Sequence, residues 1–295
     1  MSAFSRVVSG MTVLAAVVAA PGLAAAQAER SVYASVLDKG GAPVTALTAR
    51  DFIVREDGVE REVLRAARAD EPLQIAVLVD TSQAVERHIP DLRRALTTFF
   101  REMAGEHELA LIGFGERPAV LVQYTRDLAR LEAGVGLLFA RRGSGAYALD
   151  AIVDASRALG GREGARHAIV VITTEGPEFS ERYHQQVLDE LGSRAMLHSF
   201  ILSRRGGFLD EGRRQREITL EEGASATGGR REHLLTSMAL EDRLHGLAVE
   251  LKNQYRVDYA RPAALIPPEK IDVDVRRPGV TVRAPRAVPA VRTGS

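Results

Sequence analysis

Two short runs constrain this chain more than anything else in it. Ile75-Ala76-Val77-Leu78-Val79 and Ala168-Ile169-Val170-Val171-Ile172 are apolar at every position. A strand with one wet face alternates apolar and polar residues, whereas a strand without alternation must be covered on both faces, as in a parallel α/β sheet. After the first run the period becomes helical: Ile89, Leu92, Leu96, Phe99 or Phe100, and Met103 recur at spacings of three and four. Residues 109–114, 120–124 and 196–202 read as further strands. Helices are expected over 148–159 and 180–192, near 217–226, and over 238–252. Strands alternating with helices over about 180 residues predict a doubly wound, mostly parallel, Rossmann-like α/β sheet.

Both flanks of this region are β-rich. Val32, Ala34 and Val36 alternate with polar partners, Lys39-Gly40-Gly41-Ala42-Pro43 marks a turn, and Phe52-Ile53-Val54 runs into the hairpin signal Glu56-Asp57-Gly58. Beyond the α/β region, 254–259 and 270–282 read as strands separated by Pro262, Pro267 and Pro268. Neither flank can hold a core alone, so the two are expected to pair as one small β-sandwich-like unit. The expected organisation is a leader over 1–28, a β segment over 29–72, the α/β domain over 73–252, a second β segment over 253–283, and a disordered tail over 284–295.

The leader has the form of a secretory signal peptide. Arg6 precedes an uncharged apolar stretch over 7–20, Pro21-Gly22 breaks it, and Ala24-Ala25-Ala26 or Ala26-Gln27-Ala28 supplies a small-x-small cleavage sequence. The stretch is short and Ala-rich for a bilayer span of about 20 residues. An exported protein, periplasmic or secreted, with no stable membrane span after cleavage is therefore expected.

Charge and composition remove several functions. Lys and Arg number 39 against 39 Asp and Glu, a zero formal charge that argues against a dedicated nucleic-acid binder. With no cysteine there is no thiolate nucleophile, Cys-bound metal or disulfide scaffold. The seven histidines show no metal-ligand spacing, Gly113-Phe114-Gly115 lacks the third glycine of a dinucleotide loop, and Gly143-Ser144-Gly145 is not a nucleophile elbow. No enzymatic activity is expected.

The first apolar strand ends in Val79-Asp80-Thr81-Ser82-Gln83-Ala84, which resembles the metal-ion-dependent adhesion site of von Willebrand factor type A (VWA) domains. Residues 108–114 resemble the second strand of that family. Ser144-Gly145-Ala146-Tyr147-Ala148-Leu149-Asp150-Ala151 is similar to its Gly-Gly-Thr-x-x-x-Asp-Ala segment. Thr173-Thr174-Glu175-Gly176 is similar to its Thr-Asp-Gly strand end, and Ala226-Thr227-Gly228-Gly229 to a later turn. On both sides, 44–58 and 251–255 resemble a bacterial secreted subgroup, the VWFA-related proteins.

The resemblance implies an oxygen-only site for a hard divalent cation such as Mg²⁺, built from an Asp, two Ser, a Thr and a second Asp. Carried onto this chain, Asp80 and Ser82 remain, Ala84 and Ala146 offer no side-chain oxygen, and Glu175 replaces the second Asp. Asp80, Ser82 and Glu175 would hold Mg²⁺ weakly if at all, and no other cofactor is expected. Asp80 also has a local role open to it, accepting backbone N–H bonds to cap its own turn.

The expected function is a non-enzymatic, adhesion-type module that binds a protein or peptide at the strand-end face, with little or no metal dependence. The residues expected there are Asp80, Ser82, Tyr147 and Glu175, with Arg141 and Arg142 on the rim favouring an acidic partner. Phe208 lies at the tip of the long Gly-rich loop 203–214, on the same edge. The alternatives are divalent-cation-dependent adhesion through the altered site, a structural envelope component, and a hydrolase using Asp80 and Glu175.

Overall fold

The computed structural model describes residues 27–164, 166–192, 194–203, 210–263 and 265–286. Among them the chain runs β1 (Gln27–Leu37), β2 (Phe52–Glu56), β3 (Val59–Arg61), β4 (Val63–Arg68), β5 (Leu73–Val79), α1 (Ile89–Met103), β6 (Glu108–Gly113) and β7 (Ala119–Thr125). It continues through α2 (Leu128–Gly136), α3 (Ala148–Gly160), β8 (Arg166–Thr174), α4 (His184–Leu191), β9 (Met196–Leu202) and α5 (Glu211–Thr227). The last elements are β10 (Arg231–Leu234), α6 (Leu240–Lys252), β11 (Tyr255–Pro262), β12 (Ile271–Val275) and β13 (Thr281–Arg283).

The doubly wound sheet is present, in the order β10-β9-β8-β5-β6-β7. Every neighbouring pair is parallel except the edge pair β6–β7. The absence of alternation in β5 has the physical cause expected of it. Ile75, Val77 and Val79 pack on one face among Leu96, Phe99, Leu244 and Leu247, while Ala76 and Leu78 pack on the other among Leu149, Ile152, Val187 and Leu220. Each such side chain contributes about 1.5–3 kcal/mol by leaving water.

The flanks do build one unit. β1 pairs antiparallel with β11 from Gln27 opposite Pro262 to Ala34 opposite Tyr255, inside a sheet ordered β13-β1-β11-β4. A second sheet, β12-β2-β3, covers it, with Val32, Ala34, Val36, Phe52, Val54 and Val257 in the shared core. Buried Glu56 is satisfied there by Arg61 (2.9 Å), Arg261 (3.0 Å) and the Tyr259 hydroxyl (3.0 Å). The unit is tied to the α/β domain where Arg283 of β13 pairs with Glu250 of α6 at 2.8 Å.

Some boundaries differ from expectation. Helix 180–192 forms only over Tyr183-capped 184–191, and the helix expected near 217–226 starts at Glu211, where Asp210 caps it by accepting the Arg213 N–H at 2.8 Å. The expected loop 203–214 is therefore helical in its last four residues, and its tip, Arg204 to Leu209, lies outside the described residues. α2 was not expected, although Leu128, Leu131 and Val135 pack on the core at spacings of three and four. β10 was missed because Arg-Glu-His-Leu has no strand pattern of its own and is drawn into the sheet by pairing with β9.

Most of the expected leader, residues 1–26, lies outside the described residues, and β1 begins within its last two positions. Residues 287–295 of the expected tail also lie outside. Residues 284–286 are ordered instead: Ala284 is buried, and Arg286 donates its N–H to Ala226 O (2.8 Å) and accepts from Ile271 N (2.9 Å). Among the described residues no helix is long and apolar enough to cross a membrane.

Candidate functional site

In an open α/β sheet the crevice for ligands lies at the carboxyl ends of the strands, where the strand order reverses. Here that point follows the last β5–β8 pair, Val79 opposite Ile172. Asp80 comes next and is fully buried; its N–H donates to Ile172 O at 2.8 Å. Its Oδ1 accepts from Ser82 N (2.8 Å), and its Oδ2 from Thr173 Oγ1 (3.0 Å) and Thr174 N (3.3 Å). Ser82, also buried, accepts from Ala84 N at 3.3 Å and caps a 3₁₀ turn over Gln83–His88. Both side chains thus act in the turn itself, as local side-chain to backbone bonds do.

The neighbouring loops are knitted to this turn. Thr81 Oγ1 accepts from Gly115 N (2.8 Å), and Thr81 O from Arg141 N (2.8 Å). Gln83 Oε1 accepts from Gly143 N (2.9 Å). Gly115 is required by close approach, since a Cβ there would lie 2.2 Å from Thr81 O.

The residues present do not fit the five-oxygen metal site. Ala84 and Ala146 supply no ligand, and a Cβ built on Gly176 would fall 2.5 Å from the Ala84 methyl, so this methyl sits against the strand-end glycine. Glu175 is half-buried, with Oε1 3.8 Å from His233 Nδ1, on the β10 side of the face. Among the described residues no cluster of three or more His, Cys, Asp or Glu could hold a metal ion.

Charge beneath the face is balanced internally instead. Glu178 and Arg216 form an ion pair at 3.4 Å with both side chains fully buried. Glu178 Oε2 also accepts from Ala148 N, the first residue of α3, and Oε1 from Ser180 N, each at 3.3 Å. Arg216 Nη2 donates to Gly176 O at 3.1 Å. Burial pushes the Glu178 carboxyl up to about 7; Arg216 opposes this and the Asp80 charge adds to it. Glu178 thus sits between a buried guanidinium and the charge of buried Asp80, and holds a proton readily.

The pair pins the loop that carries Pro177 and Phe179. Ala146 N donates to Pro177 O (2.9 Å) and Phe179 N to Ala146 O (2.7 Å). Above lies an open groove of about 570 Å³ lined by Gln83, Ala84, Glu86, Arg87, Ser144 and Pro177. Beside it Phe179 is 49% exposed and meets half-buried Tyr147 edge-on at 6.2 Å, and further along the same loop Tyr183 is 62% exposed. Phe139, 56% exposed, lies under the Arg141 guanidinium at 5.4 Å.

Asp80, Ser82, Tyr147 and Arg141 are therefore brought to one end of the sheet, with Asp80 and Ser82 beneath its surface. Arg141 and Arg142 lie on exposed loops with acidic neighbours, Glu116 at 3.2 Å and Glu86 at 3.9 Å. Phe208 lies outside the described residues. Phe139, Phe179 and Tyr183 were not legible as a set, because Phe139 comes from the loop after α2 and the other two from the loop between β8 and α4. Arg216 did carry a signal: it falls on the buried stripe of α5 with Leu220, Gly223, Ala224 and Thr227, where a charge needs a partner.

Residues 75–177 match the family described as von Willebrand factor type A domain. Comparison with curated proteins returns no match. Among solved structures, the chain resembles a von Willebrand factor type A protein from Catenulispora acidiphila, at 12% identity over 87% of this chain and 74% of that one, with a TM-score of 0.54. It is also similar to BatB from Bacteroides thetaiotaomicron (16% identity, 61% of this chain and 100% of that one, TM-score 0.47). A third similarity is to the PilB minor pilin from Streptococcus sanguinis (9% identity, 63% and 62%, TM-score 0.48).

Proposed function

We propose that this chain, which carries a von Willebrand factor type A domain, is an exported, non-enzymatic interaction module that binds a protein or peptide on its strand-end face without needing a cation. One observation carries the reading: the groove over Ala84, Ser144 and Pro177 has exposed Phe179 beside it, with exposed Tyr183 four residues further along the same loop, while the acids beneath are spent on internal bonds. Aromatic side chains supply large contact area at low entropic cost and concentrate at binding surfaces. The domain class supports a protein partner. Export is supported by the apolar leader over 7–20.

Capture from cell-envelope extract by the immobilised chain over 29–295 tests this, in EDTA and in Mg²⁺, beside Phe179→Ala and Tyr183→Ala. The expected result is a partner retained equally in both buffers and lost from the two variants. Capture lost in EDTA would establish cation-dependent adhesion instead. Capture indifferent to both variants would move the interface elsewhere.

A further inference from the structure

One buried carboxylate ties the 176–180 loop to two helices. Glu178 Oε2 accepts from Ala148 N (3.3 Å) and from Arg216 Nη1 (3.4 Å), and Oε1 accepts from Ser180 N (3.3 Å). All three partners are donors, drawn from α3, α5 and the loop itself. Arg216 grips the same loop a second time, through Gly176 O at 3.1 Å. On either side of Glu178, Pro177 lines the groove and Phe179 stands exposed against Gly145.

An ionised carboxylate only accepts, whereas a protonated one must also donate. A proton on either Glu178 oxygen meets donors alone, so at least one of the three bonds must lengthen or break. Arg216 then also loses its charge partner and keeps only Gly176 O. The three bonds are long for hydrogen bonds and hold the ionised form weakly against burial, which pushes the carboxyl up to about 7. The charges around the pair are few. Asp80, after β5, adds to the upward push. On α3, Asp150 is held by Arg182, and on α5, Glu211 accepts from Gln215. Glu175 of the same loop leans toward His233 at 3.8 Å. On α4, His184 Nδ1 meets Gln215 Oε1 at 2.7 Å, one residue before Arg216, and is the histidine to control for.

We propose, taking the strand-end face as the interface, that Glu178 is a pH switch on it: the ionised form pins the 176–180 loop in the shape that binds a partner, and the protonated form releases it. Binding is then strong on the alkaline side of the transition and weak on the acid side. By reciprocity a bound partner favours the ionised form and expels a proton. The switch needs no cation, since a proton on one carboxylate changes the anchoring of the groove wall.

The chain contains no tryptophan, so Phe179→Trp in the chain over 29–295 puts a single indole on the loop. Its emission and its quenching by acrylamide are followed from pH 5 to pH 9, with far-UV circular dichroism to show that the fold stays intact. One transition near pH 7 is expected, with freer quenching on the acid side. Adding Glu178→Gln removes it and leaves the acid-side signal throughout, because the amide also brings a donor to three donors. Adding His184→Asn leaves it in place. In the unaltered chain, hydrogen-exchange protection of the amides over 178–180, corrected for intrinsic exchange, falls at least about tenfold from pH 8 to pH 5.5, as loss of a charged hydrogen bond does. A flat signal, unchanged protection, a transition that survives Glu178→Gln, or one that vanishes with His184→Asn overturns the switch. These measurements need no partner, so they can fail while capture through Phe179 succeeds, and the reverse. Capture equal at pH 8 and pH 5.5 overturns the link to binding.

Discussion

Glu178 and Arg216 meet 3.4 Å apart, fully buried, directly under the loop that carries the exposed Phe179 ring. They join α5 to the 176–180 loop and, through Ala148 N, to the start of α3. The strand-end face is therefore held in shape by charge inside the protein.

Removing one partner leaves the other buried and uncompensated. Arg216→Met should cost roughly 3–5 kcal/mol at pH 8, whereas the double variant Glu178→Gln, Arg216→Met recovers much of the loss because no buried charge remains. Urea unfolding of the three chains measures both. The Arg216→Met penalty should shrink at pH 5, where Glu178 can neutralise itself.

The pH dependence of stability follows from two buried groups with opposite signs. Glu178 is raised from 4.5 to about 7, so between these values the unfolded chain is ionised while the folded chain keeps its proton. Its contribution falls as pH rises through that window. His198, completely buried, is lowered by burial from 6.5 to about 4, so its contribution is complete above 6.5 and is lost as pH falls toward 4. The two oppose each other over the shared range. Glu178→Gln removes one of them, and its Tm should climb relative to wild type between pH 4.5 and 7.

Divalent cations should leave the protein unchanged. A cation at 100 times its dissociation constant adds about 2.7 kcal/mol, which is readily seen as a rise in Tm. Melting curves in Mg²⁺, Mn²⁺ and Ca²⁺ should superimpose on those in EDTA. A saturable rise that Asp80→Asn abolishes would show that Asp80 holds metal despite its four internal donors.

Two glycine substitutions should move stability in opposite directions. Gly115→Ala places a Cβ 2.2 Å from Thr81 O and should cost about 1–3 kcal/mol, as overpacking does. Gly246→Ala, inside α6 with nothing nearer than 4.0 Å, should gain about 0.5–1 kcal/mol from helix propensity. Thermal melts of the two variants check the pair, and partner capture by Gly115→Ala should fall with the displaced Thr81 turn.

What could be read along the chain was whatever depends on neighbours in sequence. The unbroken apolar run Ile75–Val79 requires cover on two faces, and the three-four spacing from Ile89 to Met103 requires a helix over it. The missing oxygens at Ala84 and Ala146 were legible in the same way, as residue types at positions the fold assigns. Phe139, Phe179 and Tyr183 could not be read as one surface, nor Glu178 matched to Arg216 across 38 residues, because both depend on which loops the sheet order brings together. The pairing of Arg141 with Glu116 was illegible for the same reason, because Glu116 lies on another loop. Local periodicity determines elements such as β5 and α1, since burial of their faces is set by the pattern along the chain, whereas β10 exists only through its pairing with β9. Which charges end up paired, and which aromatic rings stay exposed beside a groove, was decided only by tertiary packing, where buried charge must find its partner from whatever the fold places within reach.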